Sequence, residues 1–261
     1  MSLLVDSHCH LTLLEPDIND IFSAAGKNGV GHMLCVCVDL ETFPDILNLA
    51  QQYPQVSASV GLHPNSETVN EPSIEELTKN AIAPEVVAIG ETGLDYYRSQ
   101  GDLGWQQERF RRHIRAARIC RKPLIIHNRE SSRDLLRVLQ EEGADAAGGV
   151  MHCFVDDWPT AKQAMDLNFY ISFSGILTFK NARPVQEVAK KIPSDRLLVE
   201  TDSPYLAPVP YRGKANQPAY VRYTAEFLAQ LRGVPYAELA QQTTDNFYTL
   251  FPLARRPVTI Q

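Results

Sequence analysis

The chain is short of cysteine, short of positive charge and without a long apolar run, and each shortage removes a class of protein. Five cysteines lie at irregular positions among 261 residues. That usage fits a reducing cytoplasmic setting better than a disulfide framework. Cys35-x-Cys37 has strand spacing rather than Cys-x-x-Cys spacing and reads as core. Lysine and arginine number 25 against 31 acidic residues, a formal charge of −6. No broad basic surface follows, so a nucleic-acid partner would be gripped at a few phosphates and not along a duplex track. No apolar run approaches the ~18 residues of a membrane span. The N-terminus lacks a basic segment leading into a long apolar core, so neither a signal peptide nor a membrane partner is expected. Low-complexity tracts and charge runs are absent. No Gly-x-Gly-x-x-Gly follows the first apolar run, which disfavours a dinucleotide-binding open sheet.

What is present is a regular alternation of apolar, β-branched runs with amphipathic segments. Strands are expected at Leu3–His8, His32–Val38, Gln55–Leu62, Val86–Gly90, Pro123–Ile126, Gly149–Met151, Phe169–Phe173 and Arg196–Val199. Helices are expected at Asp17–Asn28, Thr42–Gln52, Ser73–Ala81, Leu103–Arg121, Ser131–Glu142, Thr160–Leu167, Ala182–Lys191, Ala219–Arg232 and Tyr236–Leu250. Ser73 and Glu76 form a capping-box pattern. On the long fourth helix, Phe110, Ile114, Ala117 and Ile119 are read as the buried face, and its arginines as a solvated one. Strand–helix units at a pitch of roughly 30 residues predict a single α/β domain over 1–261, an eight-stranded (β/α)₈ TIM barrel. A closed barrel leaves no sheet edge, so a monomer is expected.

The ionisable residues fall at the strand ends. His8 and His10 close the first run, two residues apart and therefore on one strand face. Glu91 closes the fourth, His127 the fifth, His152 the sixth and Asp202 follows the eighth. Barrel enzymes carry their chemistry on that rim. Four imidazoles with two carboxylates suit Zn²⁺ or Mn²⁺ better than a hard ion held by oxygen alone. Six donors exceed what one catalytic zinc takes, which implies two divalent ions with Glu91 as the bridging carboxylate. Asp202 could ligate one ion and also act as general base toward the attacking water. Cys9 and Cys153 flank these residues but face away on strand alternation.

Asp6-Ser7-His8-Cys9-His10-Leu11, Gly61-Leu62-His63-Pro64, Gly90-Glu91-Thr92-Gly93-Leu94-Asp95-Tyr96, His127-Asn128-Arg129, His152-Cys153-Phe154 and Glu200-Thr201-Asp202-Ser203-Pro204-Tyr205-Leu206-Ala207-Pro208 resemble the successive signatures of the TatD family of metal-dependent deoxyribonucleases. The resemblance spans nearly the whole chain. It implies a TIM barrel with two divalent metal ions (Zn²⁺, Mn²⁺ or Mg²⁺) on His8, His10, Glu91, His127, His152 and Asp202. It also implies hydrolysis of DNA, 3′→5′ on single strands. Thr12 departs from the family pattern, which often has an acidic or amide residue there, and so does Asn128–Ser132. Neither departure removes a ligand; both bear on substrate preference.

Around this centre, His63 is a candidate substrate contact and Arg129 a phosphate contact. Arg212, Lys214 and Asn216, on the loop after the eighth strand, occupy a recurrent phosphate-binding position in barrels. Tyr96, Phe154, Trp158 and Tyr205 lie near enough to stack on bases. Glu200 shares a strand face with Asp202 and is a candidate partner for a histidine ligand. The competing expectation is an amidohydrolase or esterase acting on a small amide, lactone or ester, or on an aminoacyl nucleic acid, since the same centre would attack those carbonyls.

Overall fold

A computed structural model describes residues 4–67 and 71–256. Eight parallel strands stand in the order of the chain: β1 Leu4–Cys9, β2 Val30–Cys35, β3 Val56–Val60, β4 Val86–Asp95, β5 Leu124–Arg129, β6 Gly149–Met151, β7 Phe169–Phe173 and β8 Leu197–Val199. The helices are α1 Ile18–Lys27, α2 Phe43–Gln52, α3 Ile74–Asn80, α4 Gly104–Cys120, α5 Ser132–Glu141, α6 Trp158–Asp166, α7 Arg183–Lys191, α8 Val221–Arg232 and α9 Tyr236–Leu250. This is the expected TIM barrel. Leu3, expected to open the first strand, lies outside the described residues. Ser73 caps α3 by accepting the Glu76 N–H at 3.1 Å.

Alternate strand positions divide the core. Val5, Leu34, Val87, Ile125, Val150, Tyr170 and Leu198 form one buried cluster, filling the barrel with Phe247 and Phe251 from α9 and the segment just beyond it. Opposite positions such as Leu4, Met33, Leu124, Ile171 and Leu197 pack outward with Ile21, Ile46, Phe110 and Leu139 of the helices. Cys35 and Cys37 are buried in this second cluster, as their strand spacing implied.

The seam between the first and last strands is fastened by polar side chains and backbone. Asp202 N–H donates to His8 C=O at 2.9 Å, and His10 N–H to Ser203 C=O at 2.9 Å. Thr201 donates its N–H (2.8 Å) and its hydroxyl (2.6 Å) to the two oxygens of buried Asp6. Burial raises the Asp6 carboxyl to about 8, even against those hydrogen bonds.

Two expectations change. The fourth strand runs to Asp95 instead of stopping at Gly90, because residues 92–95 pair with Ile126–Arg129 of β5. Ile119 is 65% exposed. Five residues beyond Ile114, it turns to the outer side of α4. The inner face of α4 also carries Gln106, Arg109 and His113, all nearly fully buried. They occur at i, i+3 and i+7, helical spacing, but are polar and so break the apolar pattern.

Candidate metal centre

The extension of β4 depends on glycine at one point. A Cβ on Gly93, whose φ is +140°, would lie 2.0 Å from the His127 carbonyl oxygen. Only glycine lets β4 and β5 approach there, and that approach brings Glu91 and His127 together. Asp202 sits just past β8 at φ +59°, a left-handed conformation rare outside glycine, asparagine and aspartate. Its backbone is held across the seam to β1, facing His8 and His10.

The centre is organised by the two oxygens of Glu91. Oε2 lies 3.3 Å from His8 Nε2 and 4.0 Å from His10 Nε2. Oε1 lies 2.9 Å from His152 Nε2, 3.0 Å from His127 Nδ1 and 3.5 Å from His63 Nε2. Asp202 Oδ1 joins the first set, 3.3 Å from His10 Nε2 and 3.7 Å from His8 Nε2. All six residues expected to hold metal therefore converge, in two donor groups that share one carboxylate. His8–His10–Glu91 and His63–Glu91–His127 are each compact enough to hold an ion.

Most of the imidazoles are backed by acceptors that turn a lone pair inward. His10 Nδ1 faces the Val36 carbonyl at 3.0 Å, His152 Nδ1 faces Glu200 Oε1 at 3.2 Å, and His127 Nε2 faces Asp95 Oδ2 at 3.1 Å. Each acceptor takes the N–H of a neutral ring and leaves the other nitrogen free for a cation. His8 Nδ1 is buried without a partner, as is Glu200 Oε2. This donor set fits divalent metal.

Electrostatics agree. Burial pushes Glu91 up, but the surrounding histidines overcome it and hold it well below the ordinary range. Burial likewise opposes ionisation of Asp202, and His10 and His8 outweigh it. Burial lowers His8, with His152 adding to the effect. His10, His127 and His152 are raised despite burial, by Asp202, by Asp95 and Glu91, and by Glu91 and Glu200 respectively. Without metal, protons on these rings balance the buried carboxylates; divalent ions would replace them.

Glu200 is placed against His152, and its Oε1 also accepts the Cys153 N–H at 2.7 Å. Asp95 escaped the sequence reading. It is buried, and besides His127 it accepts Asn65 Nδ2 at 2.7 Å and the N–H groups of Arg98 and Tyr97 at 2.9 and 3.1 Å. The signal was available in the alternation Glu91, Gly93, Asp95 along one strand face. Arg109 escaped it too. Its Nη1 donates to the carbonyls of His63, Pro64 and Ser66 at 2.8, 3.2 and 3.0 Å, and its Nε to Glu71 at 2.9 Å. With Gln106 and His113 it clamps the loop that carries His63.

Among the expected substrate contacts, Arg129 stacks on Tyr97 at 3.9 Å, Arg212 on Phe179 at 4.3 Å, and Lys214 lies 5.9 Å from the Tyr211 ring centroid. Asn216 departs from expectation. It is 1% exposed, and Nδ2 donates to the Thr201 and Tyr205 carbonyls at 2.9 and 2.6 Å. Its amide fastens the Asp202 loop and has no face left for phosphate. Of the four aromatics, Phe154 is buried, and the Tyr96 hydroxyl is bonded to Asp134 and Gln107. Trp158 is partly buried against the core, under Lys191. Tyr205 is 55% exposed, and its ring centroid is 6.4 Å from that of His10. Cys9 Sγ turns to the Leu34 carbonyl and Cys153 Sγ to Ser174.

Comparison with known proteins agrees with this architecture. A family profile described as "TatD related DNase" matches residues 5–252. An uncharacterized metal-dependent hydrolase of Escherichia coli K12, YcfH, is 48% identical over 254 residues, covering 95% of each chain. YabD of Bacillus subtilis, named likewise, is 40% identical and covers 95% of this chain and 99% of its own. The crystal structure of YJJV, a TatD homologue from Escherichia coli, superposes with a TM-score of 0.88 at 30% identity, covering 95% of this chain and 98% of that one. On sequence, fold and a histidine–carboxylate cluster suited to metal, the chain belongs to the TatD family of metal-dependent hydrolases.

Proposed function

We propose that the protein is a nuclease that hydrolyses phosphodiester bonds of DNA, working from the 3′ end of single strands with two divalent ions. The observation that carries this reading is the division of Glu91 between two donor groups, because paired ions suit displacement at phosphorus. His8, His10, Asp202 and Glu91 Oε2 would hold one ion; His127, His152 and Glu91 Oε1 the other. Bound there, such ions supply Lewis acidity and a nucleophile from water at neutral pH. The Asp202 carboxylate accepts the proton of the attacking water. Glu200 and Asp95 keep the His152 and His127 rings in their required tautomers.

Charge placement supports a polyanionic substrate. The arginines of α4 are committed elsewhere: Arg111 and Arg115 pair with Glu142, and Arg112 with Glu108. Among the described residues, Arg129, Arg212 and Lys214 form no ion pair, and each rests on an aromatic ring at the end of a strand or in the loop beyond it. They are therefore available to phosphate, and Tyr205 offers a face to a base. The free-thiol set and the closed barrel suit a monomer in the cytoplasm. No helix among the described residues is long and apolar enough to cross a membrane.

The test is cleavage of an end-labelled single-stranded oligonucleotide by chelator-stripped protein resupplied with Mg²⁺, Mn²⁺ or Zn²⁺. Progressive shortening that needs metal and disappears in Glu91→Ala and Asp202→Ala is expected. Affinity should fall with salt, and Arg129→Ala should reduce the log–log slope by about 0.7. Hydrolysis of a simple ester or amide in place of DNA, without salt dependence, would keep the site and replace the substrate.

A further inference from the structure

We infer that His63 is a fixed, neutral hydrogen-bond donor to the substrate, and neither a metal ligand nor a proton-transferring acid; the substrate named here rests on the nuclease reading above. His63 Nε2 lies among the outer donors, 3.3 Å from His127 Nδ1 and 3.5 Å from Glu91 Oε1. Distance alone would make it a further ligand. Its far side says otherwise. Where His10, His127 and His152 have an acceptor behind them, His63 has a donor: the backbone N–H of Asn65 points at Nδ1 from 3.1 Å.

A backbone N–H cannot change its role. Nδ1 must therefore remain an unprotonated acceptor, and the proton of a neutral ring sits on Nε2. Coordination through Nε2 would move that proton to Nδ1, donor against donor. Protonation to imidazolium would place a hydrogen on Nδ1 as well, with the same conflict. Turning the ring over would leave the Asn65 N–H facing carbon.

The loop is held so that the ring stays in this pose. His63 N–H bonds to Val38 C=O at 3.0 Å, and Arg109 grips the His63 carbonyl at 2.8 Å. Asn65 is anchored in turn, through Nδ2, to Asp95 at 2.7 Å. The His63 side chain is 19% exposed, level with His127 beside it at 18% and above His8 and His10 at 1% and 5%, so these two rings line the more open side of the centre. What Nε2–H meets there is an oxygen of the scissile phosphate. A preoriented neutral donor aimed at developing negative charge contributes on the order of 10²–10³ in kcat.

The experiment uses the full chain, wild type, His63→Gln and His63→Leu. Long-range ¹H–¹⁵N spectra of the histidine rings are recorded without metal and with Zn²⁺, the His63 signals being identified by their loss in His63→Gln. The expected result is Nε2 protonated and Nδ1 unprotonated in both states. Bound Zn²⁺ per chain and Zn²⁺ affinity are expected to match wild type in both variants. Turnover of the substrate that wild type hydrolyses should fall on the order of 10²-fold in His63→Leu, with the shape of its pH profile kept. His63→Gln, whose amide N–H reaches the same place, should recover part of the loss. A proton on Nδ1 with Zn²⁺ bound, or loss of an ion in both variants, overturns the inference in favour of a ligand. Loss of one limb of the pH profile overturns it in favour of an acid. Wild type that leaves DNA intact overturns the nuclease reading alone, since spectra and metal content still decide the state of His63.

Discussion

Replacing Asp95 by asparagine should cost metal before it costs fold. In the native protein Asp95 Oδ1 accepts the N–H groups of Tyr97 and Arg98, while Oδ2 accepts Asn65 Nδ2 and the Nε2–H of His127. Asparagine can keep its carbonyl oxygen on the backbone pair. Its NH₂ group then stands where Oδ2 stood, facing two donors. His127 relieves the conflict by shifting its proton to Nδ1 and accepting at Nε2. Nδ1 is the nitrogen that faces Glu91 at 3.0 Å, so the shift removes a lone pair from the outer donor group. Loss of such a supporting carboxylate weakens metal binding about 10–100-fold, or about 1.4–2.7 kcal/mol. The inner group, with His8, His10 and Asp202, has no hydrogen bond to Asp95 and should keep its affinity. Calorimetric titration of stripped protein with Mn²⁺ should therefore resolve one site of native affinity and one weakened by that factor. Asp95→Asn with two sites of native affinity would refute the tautomer argument.

Two further predictions concern the clamp and the protons. Arg109→Met leaves three loop carbonyls without their donor, while Glu71 keeps solvent contact; the expected loss is about 3 kcal/mol, on the order of 1 kcal/mol for each carbonyl left unsatisfied. Urea denaturation checks this, and a loss under about 1 kcal/mol would show that the loop holds itself. In metal-free protein, the raised values of His10, His127 and His152 contribute stability that is full below their ordinary 6.5 and is lost as pH rises through the folded values. The depressed values of Glu91 and Asp202 contribute stability present above 4.5 and 3.8 and lost as pH falls. These five groups should thus contribute most between those limits, and the rise in Tm on adding Zn²⁺ should grow from pH 6 to pH 8. A metal increment independent of pH, followed by scanning calorimetry, would contradict the exchange of protons for ions.

The barrel and the six converging donors were legible because both are properties of strand ends. An apolar run stops, and the next residue is histidine, glutamate or aspartate. What was hidden lies where a local pattern breaks. Gly90-Glu91-Thr92-Gly93 looks like the end of a strand, so Asp95 looked like loop; pairing with β5, tolerated by Gly93, carries the strand onward. Arg109 looked like part of a solvated side of α4, since nothing local shows that unpaired carbonyls of another loop lie beneath it, and Gln106 and His113 carry no local mark of the backbone groups they bind. Ile119 was drawn inward by its apolarity, although its angular position faces water. Asn216, beside glycine and lysine, resembled a phosphate loop; its amide is used on the backbone instead. The role of His63 depends on one backbone N–H two residues on, and a list of residue types does not contain that.

The seam between β1 and β8 has one more implication. His8 and His10 stand on one side of it and Asp202 on the other, with Thr201 tied to Asp6 across 195 positions of chain. The inner donor group exists only after the first and last strands of the barrel have met. An ion shared by those side chains would act as a rivet through this joint, drawing its strength from the loop entropy already spent on closure. Opening of this joint and escape of such an ion would then be a single event, so amide exchange along β1 and exchange of that ion should share one clock.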